Sequence, residues 1–344
     1  MTDRSVPLER IVAARAALEG RVNRTPMLSS MTAAAVVAAT SGRRVAGNRV
    51  HLKAEHLQKT GSFKARATVT KVAALTREQR AAGIVTMSAG NAGAAYAWAA
   101  REAGIHAVVA MPEAAVRSKV DACLGYGAEV VLHGAHVGEV FHRAQQLVRE
   151  RGLVFCPPFD DPDVIAGDGS VGLEILDDLP DVDVVVVGVG GGGLISGTSA
   201  ALKESRPSVR VYGVEPEQSN AMTLALAAGA PVTIVAHSVA DGLGAPFAGE
   251  WTLPMVQHYV DDIVLLDDAT ILGGLRFAAE RMKQVLEPAG AAALAAVLYG
   301  RIPIADGERV CVVASGGNVE PGRLSELIAA AAPLAVPVAA KAAS

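Results

Sequence analysis

Asp183-Val184-Val185-Val186-Val187-Gly188-Val189-Gly190-Gly191-Gly192-Gly193-Leu194 is the stretch on which the fold turns. Its first half is a β-branched run of the kind that forms a strand buried on both faces. The glycines follow at once, and residues 193–206 then read as a helix. A strand passing through a glycine loop into a helix is the core of a β-α-β unit. Consecutive glycines leave backbone N–H groups unobstructed, and the helix dipole adds positive potential, so the loop predicts a phosphate site. Gly188, Gly190 and Gly193 also satisfy the GxGxxG spacing, and the next strand ends in Glu215. That pattern is a dinucleotide fingerprint, with the acid on a ribose hydroxyl. On the loop alone, a dinucleotide and a monophosphate ligand are equal readings. A tight packing turn is the alternative without a ligand.

The same alternation extends in both directions. Strands are predicted at residues 50–53, 84–86, 107–111, 129–132, 182–189, 209–214, 263–266 and 310–314. Helices are predicted at 63–74, 92–103, 114–126, 137–151, 193–206, 270–285 and 291–299. This implies an α/β protein with parallel sheets, helices on both faces and ligands beyond the strands' carboxyl ends. Pro157, Pro158 and Pro162 interrupt the pattern, and a second break falls at 80–83. These breaks predict a large unit of residues 1–82 plus 160–344 and an inserted smaller unit of residues 83–159. From Ala329 onward the Ala/Pro/Val sequence reads as a frayed tail.

With 344 residues, 51% hydrophobic and 19% charged, the chain is long and apolar enough for two cores. A net charge of −4 without a basic run argues against nucleic-acid partners. No apolar run is long enough to predict a membrane span. The start of the chain lacks a signal-peptide core, and Cys123, Cys156 and Cys311 read as buried free thiols. Both point to the cytoplasm.

A second motif, Lys59-Thr60-Gly61-Ser62-Phe63-Lys64-Ala65-Arg66, is a polar loop entering a helix that would start near Ser62. Lys64 then lies in the first turn, where the dipole disfavours a cation and lowers an amine from about 10.4. A Schiff-base lysine needs such a shift. A surface lysine at a helix start is the plain alternative.

Ser62-Phe63-Lys64-Ala65-Arg66 resembles the cofactor-lysine motif of the fold-type II pyridoxal-phosphate (PLP) enzymes, in the threonine dehydratase and serine racemase branch. Ser88-Ala89-Gly90-Asn91 is similar to that family's substrate-carboxylate loop. Ile165-Ala166-Gly167-Asp168-Gly169 resembles its Ile-Ala-Gly-Gln-Gly stretch. Gly190–Gly193 with Leu194, Ala240-Asp241-Gly242, Glu287-Pro288-Ala289-Gly290-Ala291 and Ser315-Gly316-Gly317-Asn318 match further blocks in the family's order.

The resemblance implies a tryptophan synthase β-like fold with the cofactor in a cleft between two parallel-sheet domains. It implies a Schiff base on Lys64, which also serves as general base. Phe63 would lie against the cofactor ring and Asn91 on its ring hydroxyl. Gly190, Gly191, Gly192, Gly193 and Leu194 would hold the phosphate, and Ser315 would meet the pyridine nitrogen. Ser88, Ala89, Gly90 and Asn91 would bind the substrate. The implied reaction is α,β-elimination of a 3-hydroxy amino acid, foremost L-threonine and L-serine, giving a 2-oxo acid and ammonia. A homodimer or homotetramer follows by analogy.

Three departures refine this. Ala89 stands where serine racemases carry a second base, so elimination is expected rather than racemisation. Ala92 replaces a histidine of many relatives, which opens the pocket toward phenylserine or hydroxyaspartate. Arg117 and Arg143 are the candidates for a second substrate carboxylate. Glu215 matches one ligand of a divalent-cation site, but Ala221 replaces the next acid, so a metal there is an open expectation. A nicotinamide dehydrogenase using Gly188, Gly190, Gly193 and Glu215 is the rival of another class. A non-catalytic amino-acid sensor is a third, with little reason to keep Lys64 and Ser315 together.

Overall fold

The structure is a computed structural model and describes residues 4–337. Among them ten strands follow in chain order: β1 (Met27–Ser30), β2 (Val50–Lys53), β3 (Ile84–Met87), β4 (Ala107–Met111), β5 (Glu129–Leu132), β6 (Val154–Phe155), β7 (Val184–Gly188), β8 (Arg210–Pro216), β9 (Asp262–Leu266) and β10 (Val310–Val313). Six form one sheet in the order β1-β2-β10-β7-β8-β9, and four form another in the order β5-β4-β3-β6. All pairings are parallel except β1 against β2 at an edge. Every predicted strand is present, with ends shifted by at most two residues.

The valine run 184–187 explains itself in the sheet. β7 lies between β10 and β8 and is buried along its whole length. Val184 and Val186 pack with Leu52, Leu294 and Val312 on one face. Val185 and Val187 pack with Ile195, Leu202 and Val211 on the other. Helices cover both faces, so neither set of alternating side chains meets water.

Four features differ from the sequence reading. β1 and β6 are strands that the sequence does not predict, and β6, of two residues, is too short to carry a period. Pro162, read as a breaker, instead opens the helix Pro162–Asp178, capped by Asp161 Oδ1, which accepts from the N–H groups of Asp163 and Val164. Proline is tolerated at the first helical position, where its missing N–H has no partner to lose. The helix predicted to reach 285 is α-helical only over Asp268–Phe277 and ends in one π turn, Ala278–Met282. Finally, a helix at Pro321–Ala330 covers the start of the expected tail, and residues 338–344 of that tail lie outside the described residues.

One buried ionic cluster joins these layers. Arg66, on the helix Lys64–Ala74, is 1% exposed. Its Nε and Nη2 donate to Glu55 at 2.8 and 2.9 Å, and its Nη1 and Nη2 to Glu174 at 2.7 and 2.9 Å. Lys53 adds an ion pair to Glu174 at 2.7 Å. Glu55 belongs to the turn after β2 and Glu174 to the helix Pro162–Asp178. Burial opposes ionisation of Glu174, but Arg66 and Lys53 outweigh it and hold the carboxyl below its usual range.

Arg66→Ala should therefore lower the unfolding free energy by about 3–5 kcal/mol, because Glu55 would stay buried without a cation and Glu174 would keep only Lys53. Urea denaturation measures this. Arg66→Lys should recover only part of the loss, since an ammonium lacks the planar fork. An unchanged urea midpoint in the alanine variant would contradict this account.

Candidate active site

A cavity of about 520 Å³ opens where strands of both sheets end. Its wall includes Met87–Ala92 after β3, Pro112 after β4, Gly188 and Gly190–Ile195 after β7, and Ser315 after β10. Ligand sites of parallel sheets lie at such carboxyl ends, where loops can diverge. A second cavity of about 780 Å³ shares Gly90, Asn91, Lys119, Asp241 and Glu287 with the first, so the two are contiguous.

Lys64 and Phe63 both line the inner cavity. The Lys64 Nζ donates to the Pro158 carbonyl at 2.6 Å and lies 4.8 Å from the Phe63 ring centroid. Burial lowers the amine below its ordinary range, against the attraction of the Asp168 carboxyl. The sequence predicts the same direction from the helix dipole, and burial supplies a cause that the sequence does not show. The helix starts at Lys64 rather than near Ser62, because Ser62 pairs with Gly316 in a β-bridge. The Phe63 N–H donates to the Ser315 carbonyl at 3.0 Å, which fixes the lysine loop against the segment after β10. The Phe63 ring also packs on the core.

The glycine loop is shaped from outside. Gly192 has φ +94°, and a Cβ at Gly191 would overlap the Phe159 ring. Thr252 Oγ1 donates to the Gly191 carbonyl at 2.7 Å. The loop opens the helix Gly193–Ser205, and Leu194 sits with the four glycines on the cavity wall. This is a concave backbone cradle at a helix N-terminus, the arrangement that accepts a phosphate.

Across the cavity, Asn91 is not a helix cap as its position suggested. It is the first helical residue, and Gly90 precedes it as the cap. The Asn91 amide donates to Glu287 Oε1 at 2.6 Å and accepts from Asn318 Nδ2 at 2.8 Å. Burial pushes the Glu287 carboxyl up to about 7, against the hydrogen bond from Asn91. Ser88 Oγ accepts from the Gly90 N–H at 3.1 Å, and Ser88, Ala89, Gly90 and Ala92 all line the cavity.

The expected site residues thus converge, with three exceptions. Glu215 caps the helix Ala221–Ala228 and does not line the cavity. It accepts from Met222 N, Thr223 N and Thr223 Oγ1 at 2.8, 2.9 and 2.6 Å. A carboxylate so engaged is not free for a ribose. Among the described residues no group of three His, Cys, Asp or Glu side chains could hold a metal ion. Arg117 pairs with Asp121 and Arg143 with Glu150, and neither lines the cavity. Besides Lys64, Lys119 reaches the wall, paired with Asp241 at 2.5 Å.

Sequence reading gave no role to Pro158, Phe159, Thr252, Glu287 or Asn318. Glu287 and Asn318 stand inside quoted motifs, which was a usable signal. The other three act through a carbonyl, a ring and a hydroxyl contributed by distant segments, which no local pattern marks.

The lysine amine, the side-chain-free glycine cradle and Ser315, all on the wall of one cavity, fit a phosphate-bearing aldehyde. Similarity to known proteins agrees. The sequence pattern of the pyridoxal-phosphate dependent enzyme family matches residues 19–316. The chain is 40% identical to an L-threonine ammonia-lyase of Thermotoga maritima over 94% of its own length and 78% of that protein's. It is 38% identical to a catabolic L-threonine dehydratase of Escherichia coli, covering 94% of this chain and 97% of that one. Maize serine racemase superposes with a TM-score of 0.87 at 34% identity, covering 94% and 96% of the two chains. Fold, site and similarity together place this chain in the family of pyridoxal-phosphate-dependent enzymes.

Proposed function

We propose that the chain eliminates the β-hydroxyl and amino group of L-threonine, and of L-serine, to give a 2-oxo acid and ammonia. One observation carries this reading: Lys64 is a desolvated amine beside a phosphate cradle, in a cavity whose wall has Ala89 where a second base would stand. The names of the relatives from Thermotoga maritima and Escherichia coli support the substrate.

Pyridoxal phosphate, when bound, supplies the carbonyl that captures the amino group and an electron sink for charge at Cα. Everything else falls to this chain's own groups. Lys64 would tether the cofactor, and its amine is the base that takes the substrate α-proton. Gly190–Gly193 and Leu194 hold the phosphate. Phe63 lies against the ring, and Asn91, fixed by Glu287 and Asn318, orients the ring hydroxyl. Ser315 faces the ring nitrogen as a neutral partner, which leaves a weaker sink that suits elimination. The backbone and hydroxyl of Ser88-Ala89-Gly90-Asn91 receive the substrate carboxylate. Ala92 leaves room for a larger side chain, so phenylserine and hydroxyaspartate belong in the substrate panel.

The likeness to maize serine racemase supports a second reading, racemisation on the same scaffold, and Ala89 argues against it. Residues 1–82 plus 160–344 and 83–159 serve as the two units that flank the cavity, a division supported by the separate four-stranded sheet. We place the chain in the cytoplasm as a homodimer or homotetramer.

Lys64→Ala should abolish the visible absorption of the bound cofactor and lower turnover of L-threonine by roughly 10²–10⁴-fold or more. Spectroscopy and a 2-oxobutanoate assay read both. A colourless wild-type protein that binds a nicotinamide dinucleotide would sink the reading. Ala89→Ser should bring measurable D-serine from L-serine by chiral chromatography. Comparable D-serine from the wild type would mean a second base elsewhere.

A further inference from the structure

Asp168 differs from the other buried acids. Glu55, Glu174, Glu215 and Glu287 each accept at least one hydrogen bond. Asp168 is fully buried, and neither of its carboxyl oxygens has a hydrogen-bond partner. A buried ionised carboxylate without donors is costly, whereas its protonated form is far less so.

Its position is specific. Asp168 lies on the helix Pro162–Asp178, which packs closely against the glycine-loop helix Gly193–Ser205. A Cβ at Gly193 would stand 3.1 Å from Asp168 Oδ2. The carboxyl therefore sits beside the first turn of that helix, next to the cradle that would hold the phosphate. The charged and titratable groups facing it are Lys64 and Arg66 on the helix Lys64–Ala74, Glu55 on the turn after β2, and the Tyr96 hydroxyl on the helix Asn91–Glu102. The glycine-loop helix contributes only its backbone dipole.

Burial pushes the Asp168 carboxyl up to about 7, opposed by Lys64 and Arg66 and assisted by Glu55. A group poised there responds to any added charge. A phosphate brings about −1.5 to −2 charges at neutral pH, in a site that water screens poorly. Glutamine, at this place in the resembled motif, is neutral at every pH, and aspartate equals it in charge only with its proton on.

We propose that Asp168 is a proton-holding residue of the phosphate site, neutral whenever the Gly190–Gly193 cradle carries phosphate, so that the cofactor is held less tightly as pH rises. The proposal rests on the phosphate reading of that loop. The sign follows from linkage. Without the phosphate, the carboxyl ionises as pH passes its own value. The phosphate-bound form requires the proton back, so binding at alkaline pH takes one up from solvent and weakens as protons become scarce.

The test is the infrared difference spectrum of holoenzyme, wild type minus Asp168→Asn, at pH 8. A protonated-carboxyl stretch that shifts in D₂O is expected in the wild type and absent from the variant. If the two spectra differ only in carboxylate bands, Asp168 is ionised and the proposal is overturned. Equilibrium binding of pyridoxal phosphate between pH 7 and 9 gives a second measure. Wild-type affinity should fall relative to Asp168→Asn by up to about tenfold per pH unit, and parallel pH profiles would also overturn it. Asp168→Gln supplies the same reference if the asparagine variant does not fold. A wild-type protein that binds no pyridoxal phosphate at any pH would remove the site reading beneath the proposal. An ionised Asp168 in a coloured holoenzyme removes the proposal alone.

Discussion

The guanidinium of Arg66 is the contact on which the placement of this site depends. It lies two residues after Lys64 and binds carboxylates from two other segments, Glu55 after β2 and Glu174 on the helix Pro162–Asp178. A planar fork meeting two carboxylates leaves little freedom in rotation or translation. The helix that begins at Lys64 is thereby fixed against the large sheet and against the helix that carries Asp168. A second constraint acts from the other side. The Ser62–Gly316 bridge and the Phe63 N–H to Ser315 carbonyl bond tie the lysine loop to the end of β10. Lys64 is thus positioned by its neighbours on both sides, and its own side chain stays free to point into the cavity.

The glycine cradle is built by a complementary principle. Arg66 fixes position by strong directional contacts. The glycines fix it by the absence of side chains, which lets Phe159 and Thr252 approach the loop from behind. The loop's entropy cost is met by packing from distant segments. Close packing continues along the same helix, where Gly197 meets the backbone of Gly169. The carboxyl of Asp168 is consequently brought next to the cradle.

Burial sets the electrostatics of the cavity. It lowers Lys64 and raises Asp168 and Glu287, both to about 7. The two carboxyls are thereby held near the point where they can exchange a proton at neutral pH, which is the condition for acid–base work. The three cysteines show the inert version of the same effect. Burial pushes their thiols up to about 12, so they stay protonated and serve as packing.

The sequence alone determined the strand–helix alternation, the parallel sheets and the motifs Ser62–Arg66, Ser88–Asn91, Gly190–Leu194 and Ser315–Asn318. These are local signals, because a valine run, a glycine loop or a helical period is encoded within a dozen residues. Sequence misjudged Pro162, where the same residue either breaks a helix or begins one and only the preceding cap decides. It also left Glu215 available for a ribose or a metal, and the fold spends that carboxylate on the helix Ala221–Ala228. Tertiary structure alone decided what surrounds each group: the Pro158 carbonyl at Lys64, the Glu287 carboxyl at Asn91 and the missing donors at Asp168. The physical reason is that desolvation and pairing depend on atoms contributed from far along the chain, and no local pattern carries that information.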